Sequence, residues 1–96
     1  MNLNFSIDFK EQGNQALKDG NIELALTYYS SGIDQSPDNH ELYSNRSLVF
    51  FKLGNFELSL KDAEQTIKLS PNWFKVKKNQ KKLIFQFRVI SENQQV

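Results

Sequence analysis

Apolar and small side chains recur at steps of three and four along most of the chain, the spacing of helices that bury one face. That pattern itself repeats. "DGNIELAL" (19–26) and "LGNFELSL" (53–60) match at an offset of 34 residues, and so do "DQSP" (34–37) and "KLSP" (68–71). Laying 6–39 over 40–73 pairs Phe9 with Tyr43, Gly13 with Ser47, Ala16 with Phe50 and Leu17 with Phe51. It also pairs Leu24 with Leu58, Ala25 with Ser59, Leu26 with Leu60 and Ile33 with Ile67. A fixed period of this length marks a repeat architecture.

Each unit is broken in two. Asp19-Gly20-Asn21 and Leu53-Gly54-Asn55 place a glycine where a helix C-terminus needs a left-handed residue, then an asparagine suited to cap the next helix. Ser36-Pro37 and Ser70-Pro71 stop the second helix of each unit. The expected helices are 6–19, 22–35, 40–53 and 56–69, with a fifth beginning after Pro71-Asn72. The whole chain, 1–96, is expected to be a single all-α domain, with repeat one at 6–39, repeat two at 40–73 and an incomplete third repeat at 74–96.

A helix pair repeating every 34 residues resembles the tetratricopeptide repeat. That family places an aromatic at repeat position 4, small residues at 8 and 20, an aromatic at 24 and proline at 32. Repeat one supplies Phe9, Gly13, Ala25, Tyr29 and Pro37; repeat two supplies Tyr43, Ser47, Ser59, Ala63 and Pro71, with alanine where the second aromatic belongs. The resemblance implies a right-handed solenoid of antiparallel helix pairs, with five helices in this chain. In the third unit Lys81 stands at the small position and Arg88 at the turn glycine. Neither suits a second helix packed in return, so a single long helix over about 73–92 is expected to cap the stack and end the repeat array. Its inner stripe would be Val76, Leu83, Ile84, Phe87 and Ile90, leaving Phe85 and Val89 on the outside.

Charge becomes informative once this register is set. The chain totals +1 at pH 7, which by itself argues for neither nucleic acid nor membrane. The family lines its concave face with positions 2, 5, 6, 9, 12 and 13 of each first helix. Here these are Ile7, Lys10, Glu11, Asn14, Leu17 and Lys18, then Glu41, Ser44, Asn45, Leu48, Phe51 and Lys52, then Lys75, Lys78, Asn79, Lys82, Phe85 and Gln86. Six lysines against two glutamates make that face basic, and the rest of the chain is slightly acidic. Such sorting suits an extended acidic peptide with some apolar side chains.

"KEQGN" (10–14) and "YSNRS" (43–47) resemble the carboxylate-clamp subclass, most nearly the first module of the heat-shock organising co-chaperones. The resemblance implies binding to the acidic C-terminal tails of the cytosolic 70-kDa and 90-kDa heat-shock chaperones, and hence a cytoplasmic adaptor. The clamp residues it implies are Lys10, Asn14, Asn45 and Lys75, with Leu17, Leu48, Phe51, Lys52, Lys78, Asn79 and Lys82 as further groove contacts. Ammonium groups give charge-assisted bonds and amides give directed neutral donors, which suits the two carboxylates of a terminal aspartate. Asn79 stands where the subclass has arginine, and lysine does not replace arginine's fork of donors, so a weakened or altered clamp is expected even with Lys78 nearby.

Other chemistries find little support. There is no cysteine, which removes disulfides, thiolate catalysis and most zinc sites. The single histidine, His40, opens a helix and has no partner spaced for metal or nucleophilic work. No catalytic constellation, metal site or cofactor motif emerges, and enzymatic activity is not expected. The longest apolar stretch, "LIFQFRVI" (83–90), is too short to span a bilayer. "KVKKNQKK" (75–82) splits its lysines between two flanks without a stacking platform for bases, so nucleic acid is not an expected partner. Arg46 turns away from the groove toward an ion pair with a carboxylate on an adjacent helix. Two alternatives stand beside the clamp: the same fold serving an unrelated partner, and a homodimer formed through Phe85 and Val89 of the last helix.

Overall fold

The computed structural model describes residues 8–72. They form four helices, α1 (Phe9–Lys18), α2 (Ile22–Gln35), α3 (His40–Lys52) and α4 (Phe56–Leu69), with no strand among the described residues. The expected fifth helix, with Lys75, Lys78, Asn79, Lys82, Phe85 and Val89, lies outside them.

Both hairpins turn by the same local chemistry. Gly20 and Gly54 each take φ 80°, the left-handed region that side chains resist. The Asn21 N–H bonds the Ala16 carbonyl at 2.8 Å and the Gly20 N–H that of Leu17 at 3.0 Å, which together satisfy the last carbonyls of α1. Asn55 and Gly54 repeat this on Phe50 and Phe51 at 2.8 and 3.0 Å. The side chains of Asn21 and Asn55 then accept the N–H of Leu24 and Leu58 at 3.2 and 3.5 Å, starting α2 and α4. Connections this short make consecutive helices antiparallel neighbours.

α1 and α3 each end one residue earlier than expected, and one boundary moves further. α1 starts at Phe9, because the Asp8 carboxylate caps it by accepting the Glu11 N–H at 3.1 Å. The equivalent residue in repeat two is Leu42, which is buried in the first turn of α3, and α3 begins earlier, at His40. Equal register therefore gives unequal helix lengths, since a capping side chain ends what an apolar one continues.

α2 packs between α1 and α3, and α3 packs between α2 and α4. Ala16, Ala25, Tyr29, Ile33, Leu42 and Val49 form the core, with Leu17, Ile22, Leu26, Tyr28 and Tyr43 packed around it. The small positions let paired helices approach closely, by two different means. A Cβ on Gly13 would lie 2.4 Å from the Tyr29 ring, so glycine there is what admits the aromatic. In repeat two, fully buried Ser47 and Ser59 hydrogen-bond each other's carbonyls at 2.7 Å in both directions. These reciprocal bonds satisfy two hydroxyls that would otherwise be costly to bury, and they hold α3 close against α4.

Candidate functional site

The first helices of the two repeats lie side by side. Lys10 Nζ sits 3.4 Å from Glu41 Oε1, and Asn45 Nδ2 donates to Asn14 Oδ1 at 3.3 Å, so two contacts join α1 to α3. On α1 the spacing Lys10, Asn14, Leu17 is one helical stripe, and on α3 the matching stripe is Glu41, Asn45, Leu48, Lys52. Two amides, one ammonium group and one carboxylate thus share one seam. Of the residues predicted from sequence for this site, the structure brings Lys10, Asn14 and Asn45 together.

The remaining described residues continue the stripes toward the helix C-termini. Leu17 is half-buried against the core, whereas Leu48 is 47% exposed and Phe51 38% exposed. Lys52 is exposed. The Phe51 ring lies 5.5 Å from that of Phe56, tilted by 57°. An amide pair flanked by open apolar surface suits a ligand that offers both carboxylates and aliphatic side chains.

Burial sets the character of the amide pair. Asn14 Oδ1 also accepts the hydroxyl of Tyr29 at 2.5 Å, and Tyr29 is fully buried. Desolvation, with a smaller contribution from the Glu11 carboxylate, pushes the Tyr29 hydroxyl up to about 12. The phenol therefore stays protonated and remains a donor across the working pH range.

Arg46 behaves as expected from the sequence. Its guanidinium grips Asp62 of α4 in two places, Nε to Oδ2 at 2.6 Å and Nη2 to Oδ1 at 2.9 Å, while Nη1 reaches Ser30 Oγ of α2 at 3.3 Å. The Asp62 hydrogen bond, opposed by burial, raises its already high basicity. Arg46 stacks over Tyr43 and Phe50, with 5.8 and 5.6 Å from Cζ to the ring centroids. This cluster floors a hollow of about 370 Å³ beside Leu58 and Lys61. Asn45 and Arg46 are adjacent in sequence, yet one bonds to α1 and the other bridges α2 and α4.

Two relationships were missed in the sequence. In the sequence Glu41 figures only as charge, but it is the partner of Lys10; the signal is its register, since positions 2 and 5 of neighbouring first helices are one turn apart. Tyr29 enters the repeat pattern only as an aromatic, yet its hydroxyl is bonded to a site residue. Among the described residues no group of three His, Cys, Asp or Glu could hold a metal ion, and no helix is long and apolar enough to cross a membrane.

No family model matches the chain. It is 36% identical over 66 residues to Hsp70-Hsp90 organizing protein 2 of Arabidopsis thaliana, covering 69% of this chain and 12% of that protein. The chain thus spans about an eighth of that relative's length. Among solved structures it is similar to the first TPR of Spaghetti (RPAP3) bound to the HSP90 peptide SRMEEVD. That likeness has a TM-score of 0.76 and 27% identity, and covers 88% of this chain and 68% of the other. It is also similar to the second TPR domain of human RPAP3 in complex with the HSP70 peptide SGPTIEEVD, with a TM-score of 0.76 and 27% identity over 92% of this chain and 72% of that one.

Proposed function

Because the chain belongs to the tetratricopeptide-repeat family, we propose that it is a co-chaperone-like adaptor that binds the acidic C-terminal peptide of 70-kDa and 90-kDa heat-shock chaperones in the cytoplasm. The observation that carries this reading is the convergence of Lys10 and Asn14 from α1 with Asn45 from α3. Three potential donors on two helices are spaced to meet the main-chain and side-chain carboxylates of a terminal aspartate, with Lys75 as the fourth member of the clamp. Charge-assisted bonds from lysine supply most of the attraction, and the amides supply direction. Leu48 and Phe51 offer apolar surface to the side chain preceding the aspartate, with Lys52, Lys78 and Lys82 steering the acidic residues before it. The likeness to domains bound to HSP90 and HSP70 peptides supports the ligand class.

A second reading, the same scaffold serving a different partner, draws on two observations. Lys10 is already paired with Glu41, and Asn79 occupies the arginine position of the subclass. Titration of the chain with SRMEEVD separates the two. Saturable binding that disappears when the terminal carboxylate is amidated supports the clamp. Absence of saturable binding at millimolar peptide overturns it.

A further inference from the structure

Repeat one carries an aromatic at its second-helix packing position, and repeat two does not. Tyr29 in the first corresponds to Ala63 in the second. The groove position one residue after the small residue differs in the same way, Asn14 in the first repeat and Leu48 in the second. The phenol and the amide occur together and are absent together. The structure gives the reason: Gly13 lets the Tyr29 ring lie against α1, and the hydroxyl then reaches the side chain of the next residue, Asn14, at 2.5 Å. Where there is no amide to hold, Ala63 is fully buried and Leu48 turns outward.

We propose that Tyr29 is the positioning residue of the candidate site, its buried hydroxyl fixing the Asn14 amide so that the nitrogen, and not the oxygen, is presented to a ligand carboxylate. An unrestrained asparagine amide has two orientations related by a half-turn, one of which points an acceptor at an anion. Asn14 Oδ1 takes two donors, the Tyr29 hydroxyl and Asn45 Nδ2, which fills its acceptor capacity on the side facing α2 and α3. Nδ2 is consequently turned the other way. Arranging this donor before the ligand arrives reduces the ordering cost of binding. Tyr29 is fully buried and acts only through Asn14.

This inference rests on the clamp reading, and the experiment keeps the two apart. SRMEEVD and its C-terminally amidated form are titrated against the unsubstituted chain, Tyr29→Phe, Asn14→Ala and the double variant, with folding checked by circular dichroism. Tyr29→Phe is expected to weaken the free-carboxylate peptide about five- to tenfold, the worth of one oriented hydrogen bond, and to leave the amidated peptide unchanged. In the Asn14→Ala background Tyr29→Phe should have no further effect. Equal weakening of both peptides, or an undiminished effect without Asn14, would show a merely structural role and overturn the proposal. If the unsubstituted chain fails to bind the free-carboxylate peptide, the clamp reading falls and takes this inference with it. If that chain binds and Tyr29→Phe binds equally well, only the inference falls. Should Tyr29→Phe not fold, NMR of the unsubstituted chain decides. A slowly exchanging Tyr29 hydroxyl proton close to the Asn14 side chain supports the proposal, and one too fast to observe overturns it.

Discussion

Arg46 and Asp62 form a two-pronged ion pair across α3 and α4, with an Asp62 side chain only 6% exposed and an Arg46 side chain 21% exposed. Geometry this good can repay the desolvation of both charges, but neither charge is tolerable alone in such surroundings.

Removing one partner should therefore cost more than removing both. Asp62→Ala is expected to destabilise the chain by about 3 kcal/mol or more, because it strands the guanidinium. Arg46→Met combined with Asp62→Leu should recover most of that loss. Urea unfolding of the two single variants and the double variant checks the ordering, and equal losses throughout would refute it.

Glycine substitutions should separate close packing from backbone geometry. Gly13→Ala introduces a methyl 2.4 to 2.8 Å from three atoms of the Tyr29 ring, a planar group clamped in the core. About 1–3 kcal/mol of overpacking should outweigh the roughly 1 kcal/mol that alanine gains in helix propensity. Gly32→Ala meets chiefly the Leu42 methyls at 2.9 and 3.1 Å, which are the movable end of a side chain, and should cost less. Thermal melting of both variants tests the order.

Glu41→Gln should tighten binding of an acidic peptide. The Glu41 carboxylate occupies Lys10 at 3.4 Å and repels an incoming anion, but the pair is about one-third to two-fifths exposed, with side-chain values of 34% and 43%. An exposed pair is worth up to about 1 kcal/mol, so a gain of up to about fivefold is expected. It should be largest at low ionic strength. Titration of SRMEEVD at two salt concentrations measures it, and weaker binding by Glu41→Gln would count against a clamp role for Lys10.

Alkaline pH should expose the burial of Tyr29. A folded-state value of about 12 lies above the unfolded 10.0, so the native state holds the proton more tightly. The resulting stability is fully present below pH 10 and is lost as pH rises from 10 toward 12. Urea midpoints should therefore fall more steeply over that window in the unsubstituted chain than in Tyr29→Phe, and identical slopes would contradict the assignment.

Much of the fold was legible in the sequence because its determinants are short-range. Gly20, Asn21, Gly54 and Asn55 act within a single turn of backbone, and the hairpins end where those residues say they should. The direction of Arg46 was also readable, since consecutive helical residues diverge by about 100° and Asn45 falls on the register of the concave face. The start of α1 was not, because a repeat register predicts equal lengths while Asp8 and Leu42 at one register position have opposite capping and burial tendencies.

Burial shows the same division. Gln15 and Val49 occupy equivalent positions, yet Gln15 is exposed and bonds Asp19 at 3.1 Å, while Val49 is fully buried. Within the described residues α3 is flanked by α2 and α4, so a position that is surface on α1 becomes interior one repeat later. By itself the sequence determined the 34-residue period, the helix pairs and the stripe on which Lys10, Asn14 and Asn45 fall, because periodicity and capping are properties of neighbouring residues. Only the tertiary structure decided that Glu41 holds Lys10 and that Tyr29 holds Asn14. Those bonds span 31 and 15 residues, and the second depends on how closely Gly13 lets the Tyr29 ring lie against α1.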